Sequence, residues 1–541
     1  MSSRNPLLYL ALLVFALHSL VTGGHLQSPD EELMFRMADG MAFRGTTQVT
    51  PLEADLATGL LPPGIPAGAT FATKQGLEPG TFYAQYLILQ PLIAVPFLWM
   101  SALLEPLFAR GFASIMWPNM GISSLLTLPQ EQYESAIFRR GFLVTVFNPL
   151  IAAMSAVALA RLAMLLTGNR RASIITAAVW AFGTVAWPHS RTFFTESLAA
   201  LLALLAFDQI VRSYVMPGRL GFRAPVLLGT LLALAHWQRV DAPILSVGLL
   251  AAFAGLAVIK HVRNNTFAED HGPFPWREVA TPFAFAAASM LALQLFNMAR
   301  WGWDPTHGYG DQKESVAFST PILIGLHGLL MSPGKGLFFF SPVLLLAVWG
   351  WCVVPRRLRW LPWAAAVAFT PFFIAMAKWQ NWDGGWCWGP RHIVQLHLPA
   401  MLGAAFFFAG SLTLWRRAIV WVLMPVAVFV QILGSSQSSL EYYHEYFRTV
   451  EDGEYHRVNV RDLQAGSFTR SFDLRVRNSD GSVGRVARPD DLPAPMIDSL
   501  YIPQHTQFMT YGRMWRLGYC DLYIVNLLLG NRNPDRWTST P

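Results

Sequence analysis

Charge is scarce in this 541-residue chain: Asp, Glu, Lys and Arg together make up 13% of it, about half of the ~25% usual in a soluble domain. With 53% hydrophobic residues and a mean hydropathy of +0.36, that scarcity excludes a soluble globular protein. Cysteine is nearly absent. Cys352, Cys387 and Cys520 show no metal-ligand spacing, and at most one disulfide, Cys387 to Cys520, is available to them. There is no internal repeat and no low-complexity tract, and the GxxxxGK[ST] phosphate loop is missing.

What the chain has instead is a series of apolar runs, each about 17 to 25 residues long and so able to span a bilayer as a helix. Short loops between them carry Arg and Lys, so the net charge of +7 calls for no nucleic acid. Most of it is charge that sets topology. The predicted fold is an all-α polytopic membrane protein of about eleven transmembrane helices, at 6–24, 141–167, 173–187, 196–214, 224–236, 242–259, 279–298, 337–354, 360–378, 396–415 and 419–433. The first run has the look of a signal peptide, with Arg4 before it and Thr22-Gly23-Gly24 after it, but a retained helix is preferred because it anchors the acidic loop that follows. Residues 82–108 are apolar but interrupted by Pro91, Pro96 and Pro106, which predicts a re-entrant or interfacial hairpin rather than a crossing. On that assumption Arg161, Arg170, Arg171, Arg212, Lys260, Arg356 and Arg416 share one side, the cytoplasmic one. Two units follow: a transmembrane domain over 1–433 with a long external loop at 25–140, and an external polar tail with some strand at 434–541.

The stretch Ser28-Pro29-Asp30-Glu31-Glu32-Leu33-Met34-Phe35 puts three carboxylates where the first helix leaves the membrane. Asp30 or Glu31, partly shielded from water there, is placed to act as a general base on a hydroxyl. The same residues also suit the first turn of an interfacial helix whose apolar face is Leu33, Phe35, Met37 and Met41. Other polar residues gather on the same outer face: Lys74, His189 with Arg191 and Glu196, Arg239 with Asp241, the segment 304–313, Lys335, and the segment 378–392. Ser332-Pro333-Gly334-Lys335-Gly336 before a helix offers either a phosphate-binding turn or a plain turn with a snorkelling lysine. In Trp382-Asp383-Gly384-Gly385-Trp386-Cys387-Trp388-Gly389-Pro390-Arg391, the indoles of Trp382, Trp386 and Trp388 are candidate platforms for a sugar ring, and Arg391 either binds a phosphate or caps the loop.

An acidic pair after the first helix, a lysine late in the first external loop, an acidic residue opening a later helix and a basic residue in the next outer turn resemble the C-type (GT-C) integral-membrane glycosyltransferases. The protein O-mannosyltransferases and lipid A aminoarabinose transferases are the members most similar in arrangement. Bacterial members with a Ser-Pro-Gly-Lys-Gly-Leu-Phe block and a Trp-Gly-Pro-Arg block are matched at 332–338 and 388–391, and the resemblance covers about 6–433. It implies a GT-C-like bundle in a bacterial cytoplasmic membrane, with the N-terminus inside and the active site and C-terminus outside. Its implied reaction is inverting transfer of a sugar from a polyprenyl-phosphate donor to a hydroxyl on a glycan, lipid or protein. Asp30 would match the catalytic base with Glu31 beside it, and Lys74 the lysine on the lipid phosphate, although the usual Lys-Pro-Pro is here Lys74-Gln75-Gly76. Glu196 would match the second carboxylate, usually Asp, and Arg239 a basic residue on the phosphate. A divalent cation is left open, since members work with and without one. The alternatives are a transporter or flippase, which should show inverted repeats and broken helices at the midplane, and a ligase using a pyrophosphate-linked donor.

Overall fold

The computed structural model describes residues 5–50, 73–116, 130–216, 220–267, 273–304, 318–385, 387–411, 413–437, 506–516 and 520–522, together with four short strands between 459 and 485. Helices α1 (Pro6–Leu20), α2 (Pro29–Arg44), α3 (Leu89–Met116), α4 (Gln130–Thr167), α5 (Arg170–Gly183), α6 (Ala186–Ser190), α7 (Glu196–Val215), α8 (Arg223–Gln238), α9 (Ala242–Phe267) and α10 (Trp276–Trp301) make the first part. Then come α11 (Ile322–Met331), α12 (Leu337–Phe340), α13 (Leu344–Cys352), α14 (Trp360–Lys378), α15 (Val394–Ala409), α16 (Leu414–Ser436) and α17 (Gln507–Arg516). Strands β1 (Thr73–Gln75) and β2 (Phe82–Ala84) pair antiparallel, with Lys74 opposite Tyr83.

Among the described residues eight helices are long and apolar enough to cross a membrane. Seven coincide with predicted spans, and the eighth, Leu89–Phe112, lies in the segment expected to be a hairpin. It is one continuous helix. Pro91 sits in its first turn, where a missing N–H forfeits no helical bond, and Pro96 and Pro106 lie on its exposed face. Gln90 donates to the carbonyl of Phe193, Trp99 donates to that of Ala42 in α2, and Glu105 accepts from Arg139 at 2.9 Å. The helix therefore runs beside α2, bonded along its length to the segment before Glu196, to α2 and to α4. Four other expected spans are shorter or divided: α1, α5 and α8 have 15, 14 and 16 residues. The fourth, over 337–354, is broken between α12 and α13, where Pro342 has no N–H to continue the helix; beside it the Ser341 hydroxyl accepts from the Val185 amide.

The bundle packs through small residues as well as large ones. Phe207, Phe253, Phe372 and Phe407 are fully buried, while α13 and α15 approach so closely that a Cβ on Gly350 would lie 1.7 Å from the Gly403 carbonyl oxygen. Such backbone contact replaces the hydrophobic drive that helices lose in lipid. The described part of the tail at 506–516 lies against this bundle. The predicted boundary at 434 falls inside α16, and α17 packs back against α16 near its end. Residues 522–529, apolar but too short to span a bilayer, lie almost wholly outside the described residues. All three cysteines are free thiols, so no Cys387–Cys520 bridge forms.

Candidate functional site

The acidic stretch folds as a capped helix. Ser28 is the N-cap of α2 with Pro29 at the first position, and its hydroxyl accepts from the Glu31 amide. Glu31, three residues on, turns inward and is wholly buried; its carboxylate accepts from the Phe193 amide at 2.8 Å and meets the Ser28 hydroxyl. These bonds tie the start of α2 to the segment that leads into Glu196. Burial pushes Glu31 up to about 7, against the backbone bonds from Phe193 and Gln27. Burial would raise Glu32 likewise, but Arg140 and Arg36, at 2.6 and 2.9 Å, outweigh it and hold Glu32 at about 2. Leu33, Met34, Phe35 and Met37 then bury the apolar face.

A pH dependence follows for Glu31. Between 4.5 and about 7 the folded protein keeps a proton that the unfolded chain releases, so this group costs stability as pH rises through that window and the full cost stands above it. Glu31→Gln accepts from Phe193 and donates to Ser28 without a charge to desolvate. It should raise the free energy of unfolding at pH 8, by up to about 3 kcal/mol and with a higher thermal midpoint, and leave both near the wild-type values at pH 5. A lower midpoint at pH 8 would show that the ionised form is what the fold requires.

Asp30, at the second position of α2, points the other way and is part of a row of alternating charge. Arg391 Nη1 donates to Asp30 Oδ2 at 3.1 Å, and its Nε lies 3.7 Å from Glu196 Oε1. Arg239 Nη1 donates to the same Glu196 oxygen at 2.6 Å, and its fork takes both Asp241 oxygens at 2.9 and 2.7 Å. The order is thus Asp241, Arg239, Glu196, Arg391, Asp30. Its side chains are nearly sealed at one end, Asp241 6% and Glu196 5% exposed, and open at the other, Asp30 21%. Glu196 Oε2 and Arg391 Nε are buried with no hydrogen-bond partner among the described residues, two polar atoms free for a ligand.

Each member is placed by a helix end. Glu196 opens α7, Arg239 caps α8, Asp241 precedes α9, and Arg391 stands just before α15 with its guanidinium over the Phe194 ring at 4.6 Å. The segment leading into Glu196 is irregular, and three buried amides absorb its carbonyls: Asn148 takes Thr192 and Phe194, Gln90 takes Phe193, and Gln238 takes Thr195. Single amides inside apolar helices carry no periodic signal, so sequence reasoning passes over them. The same helices carry basic residues at their far ends, Arg212 on α7 and Lys260 with Arg263 on α9; Arg212 is roughly 24 Å along the axis from Glu196. The row and the basic clusters therefore lie at opposite faces of the bundle.

The other expected site residues lie elsewhere. Lys74 pairs with Asp304 at 2.7 Å, beside a residue the sequence did not single out. Arg300 is 3% exposed, with its guanidinium 4.1 Å from the Trp301 ring centre and 4.8 Å from that of Tyr83. One nitrogen donates to the Ala84 carbonyl, and Nε and Nη1 have no hydrogen-bond partner among the described residues. The β1–β2 hairpin that brings Lys74 here packs through Ala84 on Leu33 and Met37, one and two turns along α2 from Asp30. Arg191 is buried on the carbonyls of Ser435, Gln437 and Asp521, the Asp521 carboxylate and the Gln27 amide oxygen, so it ties chain segments together rather than facing the row.

Lys335 is not available to a phosphate. Its ammonium donates to the Gly385 and Cys387 carbonyls, both at 2.7 Å, while the amides of Gly334 and Lys335 bond to the Ser332 hydroxyl. The turn is closed on itself, and its lysine clamps the tryptophan loop. Trp382 and Trp388 are 6% and 4% exposed and serve as core, the first against Gly328 and the second stacked on Tyr511 at 4.8 Å. Neither offers a face to a sugar; Trp386 lies outside the described residues. A divalent cation would need several converging oxygen ligands. Among the described residues no three His, Cys, Asp or Glu side chains converge to hold one, and the row's carboxylates each face a guanidinium. Among the described residues the row's donor set does not fit a metal.

No family model matches this chain, and no curated protein does. Among solved structures it is similar to ArnT from Cupriavidus metallidurans bound to undecaprenyl phosphate, at 11% identity and a TM-score of 0.42, over 94% of this chain and 90% of that one. It is also similar to the archaeal oligosaccharyltransferase AglB from Archaeoglobus fulgidus, in complex with an inhibitory peptide and a dolichol-phosphate, at 10% identity and a TM-score of 0.41 over 82% of this chain. The match spans 58% of the length of AglB, and 59% of the Archaeoglobus fulgidus oligosaccharyltransferase in its apo form.

Proposed function

We propose that this protein is a glycosyltransferase that moves a sugar from a polyprenyl-phosphate donor to a hydroxyl acceptor at the outer rim of a bacterial cytoplasmic membrane. The observation that carries this reading is the row of alternating charge with Asp30 as its open end. Asp30 takes the acceptor's proton as that oxygen attacks the anomeric carbon; the bond from this carbon to the phosphate breaks, and the phosphate leaves with the electron pair. The attack inverts the carbon. Arg391 provides the positive charge that the departing phosphate needs, and Lys74, whose hairpin packs one to two turns along α2 from Asp30, adds to it with Arg300. At rest Arg391 occupies an oxygen of the Asp30 carboxylate, so a donor phosphate that draws the guanidinium toward itself also frees that oxygen for the acceptor's proton. The donor then binds first. Glu196, fixed by Arg239, holds Arg391 from the other side.

A transporter is disfavoured because the ionised side chains of the site stand at helix ends on one face, not along a path through the bundle. The basic clusters at the opposite face support a site on the outer side. The test is to incubate purified protein with radiolabelled polyprenyl-phosphate and polyprenyl-pyrophosphate sugars plus a panel of hydroxyl acceptors, and to follow release of the lipid phosphate. Release of polyprenyl phosphate with label on the acceptor supports the reading; release only from pyrophosphate donors makes it a ligase; sugar-lipid movement across a vesicle bilayer without release makes it a flippase. Because the carboxylates are matched by guanidinium groups, transfer should persist in excess EDTA within about twofold of the untreated rate. Loss on chelation and recovery with Mg²⁺ or Mn²⁺ would put a metal in the step.

A further inference from the structure

The geometry points to the C-terminal residues 506–516 and 520–522 as a strut that holds Arg391 in register with Asp30 and Glu196, with Gln507 as its positioning residue; this rests on the reading of that row as the transfer site. Arg391 is carried by a loop that has little regular structure. Gly384 and Gly389 have φ of +78° and +66°, values open to glycine, and a Cβ on Gly389 would lie 2.9 Å from the Phe340 ring. Such a loop needs outside partners to stay in one shape. Gln507, 1% exposed at the start of α17, provides two: its Nε2 donates to the Cys387 carbonyl at 2.7 Å and its Oε1 accepts from the Gly389 amide at 3.2 Å. Gly389 in turn passes the constraint on, since its carbonyl accepts from the Arg391 amide at 3.1 Å.

The rest of the segment fixes Gln507. Tyr511 stacks on Trp388, whose indole is backed on another side by Gly434, where a Cβ would come within 2.4 Å of it. Phe508 packs on both Trp388 and Phe340. Farther along, Asp521 donates its amide to the Ser436 carbonyl at 2.8 Å, and its carboxylate is held by Arg191 and by His25 at 2.7 Å. A stretch far from the row in sequence thus closes over the loop from outside. Lys335 and His189 grip the loop from within, through the Cys387 and Trp388 carbonyls, so Gln507 is one of three holds and its removal loosens the loop without unfolding it.

Two measurements on full-length protein test this. Hydrogen exchange over 385–393 should be faster in Gln507→Ala than in wild type, with exchange over α7 unchanged. In transfer assays Gln507→Ala should lower kcat about tenfold to a hundredfold, the cost of a slightly misplaced group. The same change made on Arg391→Lys should add little, because both act through one guanidinium. Unchanged exchange over 385–393 overturns the strut, and so do losses that multiply in the double variant, which would mean that Gln507 acts on something other than Arg391. Absence of transfer by the wild type would sink the glycosyltransferase reading alone, and the exchange experiment would still decide the strut.

Discussion

Asp30→Asn should abolish transfer, with a loss on the order of a thousandfold, the range for removal of a general base, in protein that folds like wild type. The substitution keeps the shape of the side chain and an oxygen that can accept from Arg391 Nη1, which now stands 3.1 Å from Oδ2. It keeps the helix as well, because the cap of α2 is made by Ser28 and Glu31 and does not involve the Asp30 carboxylate. With the side chain about one fifth exposed, loss of its charge leaves no buried ion stranded except in part Arg391, which retains Glu196. What disappears is the proton acceptor. Removing a carboxylate also removes a competitor for Arg391, so the donor should bind as tightly or more tightly. A variant with normal donor affinity, a normal thermal midpoint and activity within tenfold of wild type would take Asp30 out of the chemistry.

The sequence makes visible the residues whose position is dictated locally. An acidic turn at a membrane exit, a carboxylate opening a helix and an Arg two residues before an Asp at a helix turn all have local meanings, and Asp30, Glu196, Arg239 and Asp241 do converge. What it leaves unresolved is which cation meets which anion. Lys335 and Arg391 look equally suited to a phosphate as text, yet a closed Ser332 turn aims one at carbonyls while the positive-φ glycines let the loop aim the other at Asp30. Tryptophans in that loop read as sugar platforms because side-chain burial is a property of neighbours far away in sequence, here Gly328, Gly434 and Tyr511. Arg300 was hidden for the same reason. At the end of an apolar helix it looks like a topology charge, and only its burial among aromatic rings with two unused donors marks it out.

Arg239→Ala should be the most destabilising single change in the site, by about 3–5 kcal/mol, the cost of stranding a buried charge. Arg239 satisfies two carboxylates at once, Glu196 through Nη1 and Asp241 through the remaining fork, and also donates to the Thr195 hydroxyl at 3.1 Å. Taking it away leaves Asp241 and Glu196 close together with only Arg391, 3.7 Å from Glu196, to offset them. Their mutual repulsion and desolvation then act on the α8–α9 turn and on the start of α7 together. Arg239→Lys should be intermediate, since an ammonium cannot make the paired bonds to Asp241 and reach Glu196 as well. The mechanism of the loss is checked by a second substitution: Arg239→Ala combined with Asp241→Asn removes one of the stranded charges and should recover a large part of the thermal midpoint in detergent. Recovery of the fold with transfer still present would assign Arg239 to holding Glu196 in place. Were Arg239→Ala instead to melt like wild type and fail only in binding the lipid donor, the guanidinium would be a phosphate ligand, and the row of paired charges would have to open at both ends when substrate arrives.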